Sequence, residues 1–307
     1  MKLFYYKRPD GVENFGDRLN TWLWPQLLPN YFDDDETTRF IGFGTLLNNA
    51  LPRRIPKAKK AIVFSTGVGY EKPLTVIPGS WKIHCVRGPL SAQMLGLPQE
   101  LAVADGAILA RRLFQPTAKK STSFSFMPHI ERAIQAGETW QKICEEIGFS
   151  YIDPRWSVER VLSAIDQTEV LLAEAMHGAI VADTLRVPWI PIVTSPKILE
   201  FKWRDWCYSV KLKYRPNYLA SRLDSYPRYA RGVRSSLRSF RHWGNSLQQN
   251  GLQSLNVFQS APSQSLAGQL LRVAKTARPQ LSSEERIEQL TVELESRLST
   301  IAQSCHQ

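Results

Sequence analysis

The segment Ala173 to Asp183, AEAMHGAIVAD, holds the strongest chemical feature of the chain. Apolar residues lead into Glu174, Met176, His177 and Gly178 and a helix-like stretch follows, so the pattern predicts His177 at a strand exit beside a helix N-terminus. Backbone N–H groups and the positive dipole end make such a turn attractive to anions. An imidazole there can donate a proton beside a bound phosphate or carboxylate. The competing reading is a buried histidine bonded to backbone at a tight glycine turn.

A second candidate lies in WKIHCVRGPLSAQML, where Arg87 and Gly88 fall between a strand and a helix carrying Pro89 in its first turn. A guanidinium suits bidentate binding of phosphate or carboxylate, and the alternative is a surface arginine capping a nearby turn. Ser91 reads as a helix-start residue, because no G-x-S-x-G elbow surrounds it. Three glycine-containing loops, Asn14 to Asp17, Gly42 to Gly44 and Gly67 to Gly69, follow successive strands and permit close backbone approach to a ligand. None is a dinucleotide fingerprint or a P-loop. Asp105 in VADGAIL reads either as a helix cap or as a cleft residue. His129, ending SFSFMPH, is placed to face the cleft from the second half of the chain. Lys197 opens KILEFKWRDW, which adds Lys202, Arg204 and Asp205 and is either a cationic donor site or a solvated basic face.

The elements that must position these residues come in two similar runs. KLFYY, Arg39 to Phe43, Ala61 to Ser65, Trp81 to Val86 and Leu101 to Val103 are short apolar runs, most followed by Gly, Ser or Thr and then by helix-like sequence. The pattern restarts near Ser121 with SFSFMPH, a helix over Thr139 to Ile147, FSYIDP, SVERVLSAIDQ, TEVLLAEA, HGAIVADTLR and VPWIPIV. Such alternation predicts mainly parallel α/β sheets in two domains, over residues 1–118 and 119–215, with a cleft between them as the natural site. A basic segment and Gln/Ser/Asn-rich linker is expected over 216–280. An amphipathic helix is expected over 281–307, capped by Ser282 or Ser283, with Ile287, Leu290, Leu294, Leu298 and Ile301 on one face. That face could dock on the body or self-associate.

Composition narrows the class. The chain has 307 residues, 43% hydrophobic and 22% charged, as in a folded globular protein. No apolar stretch approaches the roughly 20 residues that span a bilayer, and the N-terminus lacks a secretory pattern, so a cytoplasmic location is expected. Cys85, Cys144, Cys207 and Cys305 are scattered without metal-ligand spacing, so neither a zinc site nor a disulfide framework is expected. The net charge of +11 is concentrated between Lys211 and Asn245, where Lys211, Lys213, Arg215, Arg222, Arg228, Arg231, Arg234, Arg238 and Arg241 face one acid, Asp224. With Tyr214, Tyr218, Tyr226, Tyr229, Phe240 and Trp243 interleaved, this run admits a nucleic-acid-binding reading. A peripheral role at an anionic membrane surface is preferred, and no nucleic acid is expected.

The ordered set NFGD, GFGT, VRGPLS, DGAIL, MPH and AEAMHGAIVADTLRVPWIPI, followed by Lys197, resembles the polysaccharide pyruvyltransferase family, in the branch acting on bacterial exopolysaccharides such as succinoglycan. The resemblance covers about residues 1 to 210. It implies a GT-B-like fold of two Rossmann-like domains, with phosphoenolpyruvate as co-substrate between them and no metal or nicotinamide cofactor. The product is a pyruvate ketal on a sugar of a lipid-linked oligosaccharide or polysaccharide acceptor. His177 matches the motif histidine and is the expected acid; Asn14 and Asp17 match the early loop, with Asp17 orienting an acceptor hydroxyl. The donor side is then assigned to Arg87, Gly178, Lys197, Arg204 and His129, and the acceptor side to Asn14, Asp105 and Glu174. Many members carry Arg two residues before the motif histidine; this chain has Ala175, which moves the grip on donor charge to Arg87, Lys197 or Arg204. A nucleotide-sugar glycosyltransferase of the same architecture is the alternative.

Overall fold

A computed structural model of the chain describes residues 1–117, 119–220 and 265–304. It divides into two compact units, each assembled from separated stretches: Met1–Gln115, Lys202–Lys213 and Ser282–Gln307 in the first, Pro116–Phe201 and Tyr214–Leu281 in the second.

In the first unit β1 (Lys2–Phe4), β2 (Thr38–Ile41), β3 (Lys60–Thr66) and β4 (Trp81–Val86) form a parallel sheet in sequence order. Helix α1 (Phe15–Leu27) buries Phe15, Leu19, Leu23 and Trp24, the i, i+4, i+8 stripe that a sheet-covering helix needs. Trp24 lies edge-on to Phe40 and Phe64 at 5.1 and 5.4 Å, and its indole N–H donates to Asn20 Oδ1 at 2.8 Å. Near the end of β3 the register with β4 shifts and Ser65 takes a positive φ of 63°. Short helices α2 (Leu51–Arg54) and α3 (Pro89–Met94) follow β2 and β4. The apolar run at Leu101 to Val103 makes one bridge, Val86 to Ala102, at the end of a short 3-10 turn. Too few residues remain extended there for a strand.

The second unit has β5 (Thr122–Met127), β6 (Ser150–Tyr151), β7 (Thr168–Ala173), β8 (Trp189–Val193) and β9 (Asn217–Tyr218), all parallel, in the order β6-β5-β7-β8-β9. Between them run α4 (Ile130–Ala136), α5 (Thr139–Glu146), α6 (Val158–Asp166) and α7 (Met176–Thr184). Helix α7 is buried all round except at His177, matching its uniformly apolar sequence. Both sheets are mixed into α/β layers of Rossmann-like character.

Helix α8 (Glu200–Ser209) begins in the second unit and continues into the first. KILEFKWRDW is therefore no solvated basic face: Phe201, Lys202, Trp203, Asp205 and Trp206 are buried. The expected linker over 216–280 also needs correction at its end. Ser265 accepts the amide of Gly268 and caps α9 (Leu266–Thr276), whose Leu270, Val273 and Ala274 pack in the second unit's core. Its Gln269 side chain holds both the N–H and C=O of Ala220, at 2.9 and 3.2 Å. Residues 221–264, which carry most of the basic run, and Cys305 lie outside the described residues. The final helix α10 (Glu284–Ser304) is capped by Ser283, and Ile287, Leu290, Leu294, Leu298 and Ile301 are all buried, so its stripe docks within the first unit. No helix among the described residues is long and apolar enough to cross a membrane.

Candidate active site

Parallel strands bring all their carboxyl ends to one edge, and ligands bind where the strand order reverses. In the second unit that reversal lies between β5, whose next strand β6 goes to one side, and β7, which goes to the other. The chain leaves β5 through Pro128 and His129 and leaves β7 through Glu174 to His177, so both histidines belong to the loops flanking the switch point. Lys197 follows the adjacent strand β8. The three residues are thereby placed at neighbouring strand exits of one sheet.

Glu174 ties these exits together. It has no exposed surface; Oε1 accepts from the Thr194 amide and hydroxyl, each at 2.7 Å, and Oε2 accepts from the His129 amide at 3.0 Å. Its own amide and that of Ala175 donate to Met127 O at 2.9 and 3.3 Å. Burial pushes the carboxyl above the usual range, opposed by the nearby Arg132 charge and by the bonds from Thr194 and the His129 amide. Both oxygens are turned inward, so Glu174 organises the loops rather than meeting an acceptor.

His177 is half-buried in the first turn of α7. The helix N-cap is Ala175, which has no side-chain acceptor to cap the first turn. A Ser or Asp there would compete with an incoming anion for those amides. Gly178 is needed for packing: a Cβ would lie 2.6 Å from Met127 Sδ. His129 caps α4, its Nδ1 accepting the Glu131 amide at 3.3 Å. The Lys197 amide donates to Ser195 Oγ at 3.3 Å, which turns the chain after β8, and its side chain is half-buried.

In the first unit the strand exits carry Asn14 and Asp17 after β1, the GFG loop after β2, the GVG loop after β3 and Arg87 after β4. Asn14 Nδ2 donates to Asp17 Oδ2 at 2.8 Å, with both residues half-buried at the start of α1. Arg87 is fully enclosed. Nε donates to Asp205 Oδ2 at 2.9 Å, Nη1 to Gly44 O and Thr45 Oγ1 at 3.1 Å each, and Nη2 to Val68 O at 2.9 Å. The Arg87 donors expected to grip donor phosphate instead hold two glycine loops and a buried carboxylate.

The glycines follow the same logic. A Cβ on Gly67 would meet Arg87 Cζ at 2.5 Å, one on Gly42 would meet Asn20 Oδ1 at 2.2 Å, and one on Gly88 would meet Asp205 O at 2.1 Å. These glycines admit the protein's own side chains and backbone. Asp105, expected on the acceptor side, is likewise buried and caps the 3-10 helix Gly106–Arg112 through the Ala107 amide at 3.0 Å. Arg204 is half-buried on α8, one residue before Asp205.

Sequence reasoning missed the organising roles of Asp205, Ser91, Arg132 and Thr194. Asp205 also accepts the Ser91 amide at 2.9 Å and hydroxyl at 2.5 Å. Its one sequence signal was a lone acid set between Trp203 and Trp206 at helical spacing, which marks a buried face. Among the described residues no group of three or more His, Cys, Asp or Glu is placed to hold a metal ion.

The polysaccharide pyruvyl transferase family matches residues 33–196, just over half of the chain. The succinoglycan biosynthesis protein ExoV of Rhizobium meliloti (strain 1021) is 44% identical over 219 residues, which cover 70% of this chain and 67% of that protein. No solved structure matches the chain. The matched stretch includes both loops of the switch point, with His129, Glu174 and His177, and the chain belongs to the polysaccharide pyruvyl transferase family.

Proposed function

We propose that this transferase moves pyruvate from phosphoenolpyruvate onto two hydroxyls of an exopolysaccharide repeat-unit sugar, with His177 as the acid. The observation that carries this reading is the half-buried His177 in the first turn of α7 at the switch point, where the N-cap side chain cannot compete with an anion.

In the chemistry proposed, a proton goes to the methylene carbon of phosphoenolpyruvate and leaves an oxocarbenium-like centre at C2. A first sugar hydroxyl attacks that carbon and loses its proton. The C2–O bond to phosphate then breaks, a second hydroxyl closes the ring, and its proton departs with inorganic phosphate. The protein's part is to deliver the first proton and accept the one that the first hydroxyl loses. His177 serves the first step, the α7 amides hold phosphate, and Lys197 at the next strand exit balances donor charge. Arg204 is a second cation for the donor, and His129 lines the donor side. Asp17, held by Asn14, orients an acceptor hydroxyl. Arg87, Asp105, Glu174 and Gly178 shape the loops from within.

A GT-B-like pairing of the two Rossmann-like units belongs to this proposal, as does an acceptor carried on lipid at the inner membrane face. The similarity to a succinoglycan biosynthesis protein supports the exopolysaccharide acceptor, and the basic run of the sequence supports the anionic surface. Each basic residue near anionic lipid contributes on the order of 1 kcal/mol.

Purified protein incubated with phosphoenolpyruvate and a lipid-linked oligosaccharide should release phosphate and yield a ketal. Transfer from a nucleotide sugar without phosphate release from phosphoenolpyruvate would sink the reading. His177→Ala should keep the fold and donor binding while turnover falls by roughly 10²- to 10⁴-fold, the usual contribution of a positioned acid. Near-normal turnover in that variant removes His177 from the role.

A further inference from the structure

Arg132 stands in the first turn of α4 and is 2% exposed. A cation there opposes the helix dipole, and burial adds a desolvation cost, so nearby groups must offset both. Its Nη1 donates to Gln135 Oε1 at 3.1 Å, its Nε to Thr194 Oγ1 at 3.1 Å and its Nη2 to Thr194 O at 2.5 Å. Thr194, itself fully buried, donates its hydroxyl hydrogen bond to Glu174 Oε1 at 2.7 Å. Guanidinium and carboxylate thus face each other through one hydroxyl, and the other carboxylate oxygen takes the His129 amide.

This relay lies beyond the last ladder pairs that join β5 to β7 and β7 to β8, Met127 to Ala173 and Ala173 to Pro191. Past those pairs the backbone bonds between the β5 and β7 exits reduce to the Glu174 and Ala175 amides on Met127 O, and the exit loops carrying His129, His177 and Lys197 begin. Beyond those two amides, bonds from the side chains of Glu174, Thr194 and Arg132 join the exits.

We propose that Arg132 and Thr194 are positioning residues for pyruvyl transfer, holding the exits of β5, β7 and β8 in one arrangement through the Arg132–Thr194–Glu174 relay. The proposal rests on the reading of His177 as the acid. Neither residue has surface to offer a substrate, so both act through the loops they hold.

Thr194→Val keeps the side-chain shape and removes the hydroxyl, whereas Thr194→Ser keeps the hydroxyl. Two readouts are compared in the full-length protein: kcat and KM for phosphoenolpyruvate, and the 15N imidazole chemical shifts of His129 and His177 without substrate. In Thr194→Val, kcat should fall roughly 10- to 100-fold, as expected for a misplacement near 1 Å, with KM changed less than about threefold. Both histidine signals should move, and Thr194→Ser should restore rate and shifts to near wild type. An unchanged kcat with unmoved signals overturns the proposal, as does a Ser variant no better than Val. Should Thr194→Val fail to fold, Glu174→Gln carries the same prediction and the same power to overturn it. If wild-type protein shows no reaction with phosphoenolpyruvate, the functional reading falls, and the histidine shifts still decide whether the relay positions the loops.

Discussion

Arg87 and Lys197 are both cations at strand exits, and the surroundings of each decide what it can do. Arg87 is paired with Asp205 at zero exposure for both side chains. Removing one partner of such a pair leaves the other charge buried and uncompensated. Arg87→Met should lower the unfolding free energy by about 3–5 kcal/mol, read from urea unfolding. Lys197→Met removes a half-buried charge and should instead raise KM for phosphoenolpyruvate, with a loss of stability well below that of Arg87→Met in the same urea unfolding. Equal loss of stability in both variants would show that Lys197 is also structural. The sequence made both positions visible as strand-exit cations. It could not separate them, because the partner of Arg87 lies 118 positions away on α8.

At the scale of elements, α10 tests whether charge or apolar contact holds the final helix in the first unit. Arg112 bonds to Glu288 and Glu295, and Arg111 pairs with Glu284 and Glu288. The three carboxylates and Arg112 are partly open to solvent, Arg111 less so, and solvent-screened pairs contribute from nothing to about 1 kcal/mol each. Leu294, at 0% exposure, loses far more when shortened. Leu294→Ala should cost about 2–5 kcal/mol against at most about 1 kcal/mol for Arg112→Ala, by chemical denaturation. The bond from Arg112 holds the Glu288 carboxyl below its usual range. Its small contribution is present above that range and fades as pH falls through the lowered value. The α10 stripe was legible because five apolar residues repeat at helical spacing behind a serine cap. Helix α9 was not, because LAGQLLRVAKT follows a polar stretch and its burial depends on a sheet assembled far away in sequence.

For the whole molecule, the pH response should carry the mark of His84. Burial holds its imidazole down to about 4 from 6.5, with the Lys82 and Arg297 charges adding to the effect. The unfolded chain binds that proton below 6.5 and the folded chain does not until about 4, so this contribution to stability is lost as pH falls across that window. Urea midpoints should decline from pH 6.5 to pH 4, and His84→Gln should flatten the decline; an unchanged slope would assign it to other groups. By itself the sequence determined the two α/β runs, most strand positions, the docking stripe of α10 and the loops that carry Asn14, Asp17, His129, His177 and Lys197. All of these follow from local period, caps and turn residues, which neighbours in the chain decide. Only the tertiary structure decided that α8 crosses from one unit into the other, that Arg87 and Asp205 are enclosed together, and that Glu174 faces inward between Thr194 and His129. Those outcomes depend on which distant polar groups meet in the absence of water, and burial of a charge is settled by its partners rather than by its own position in the chain.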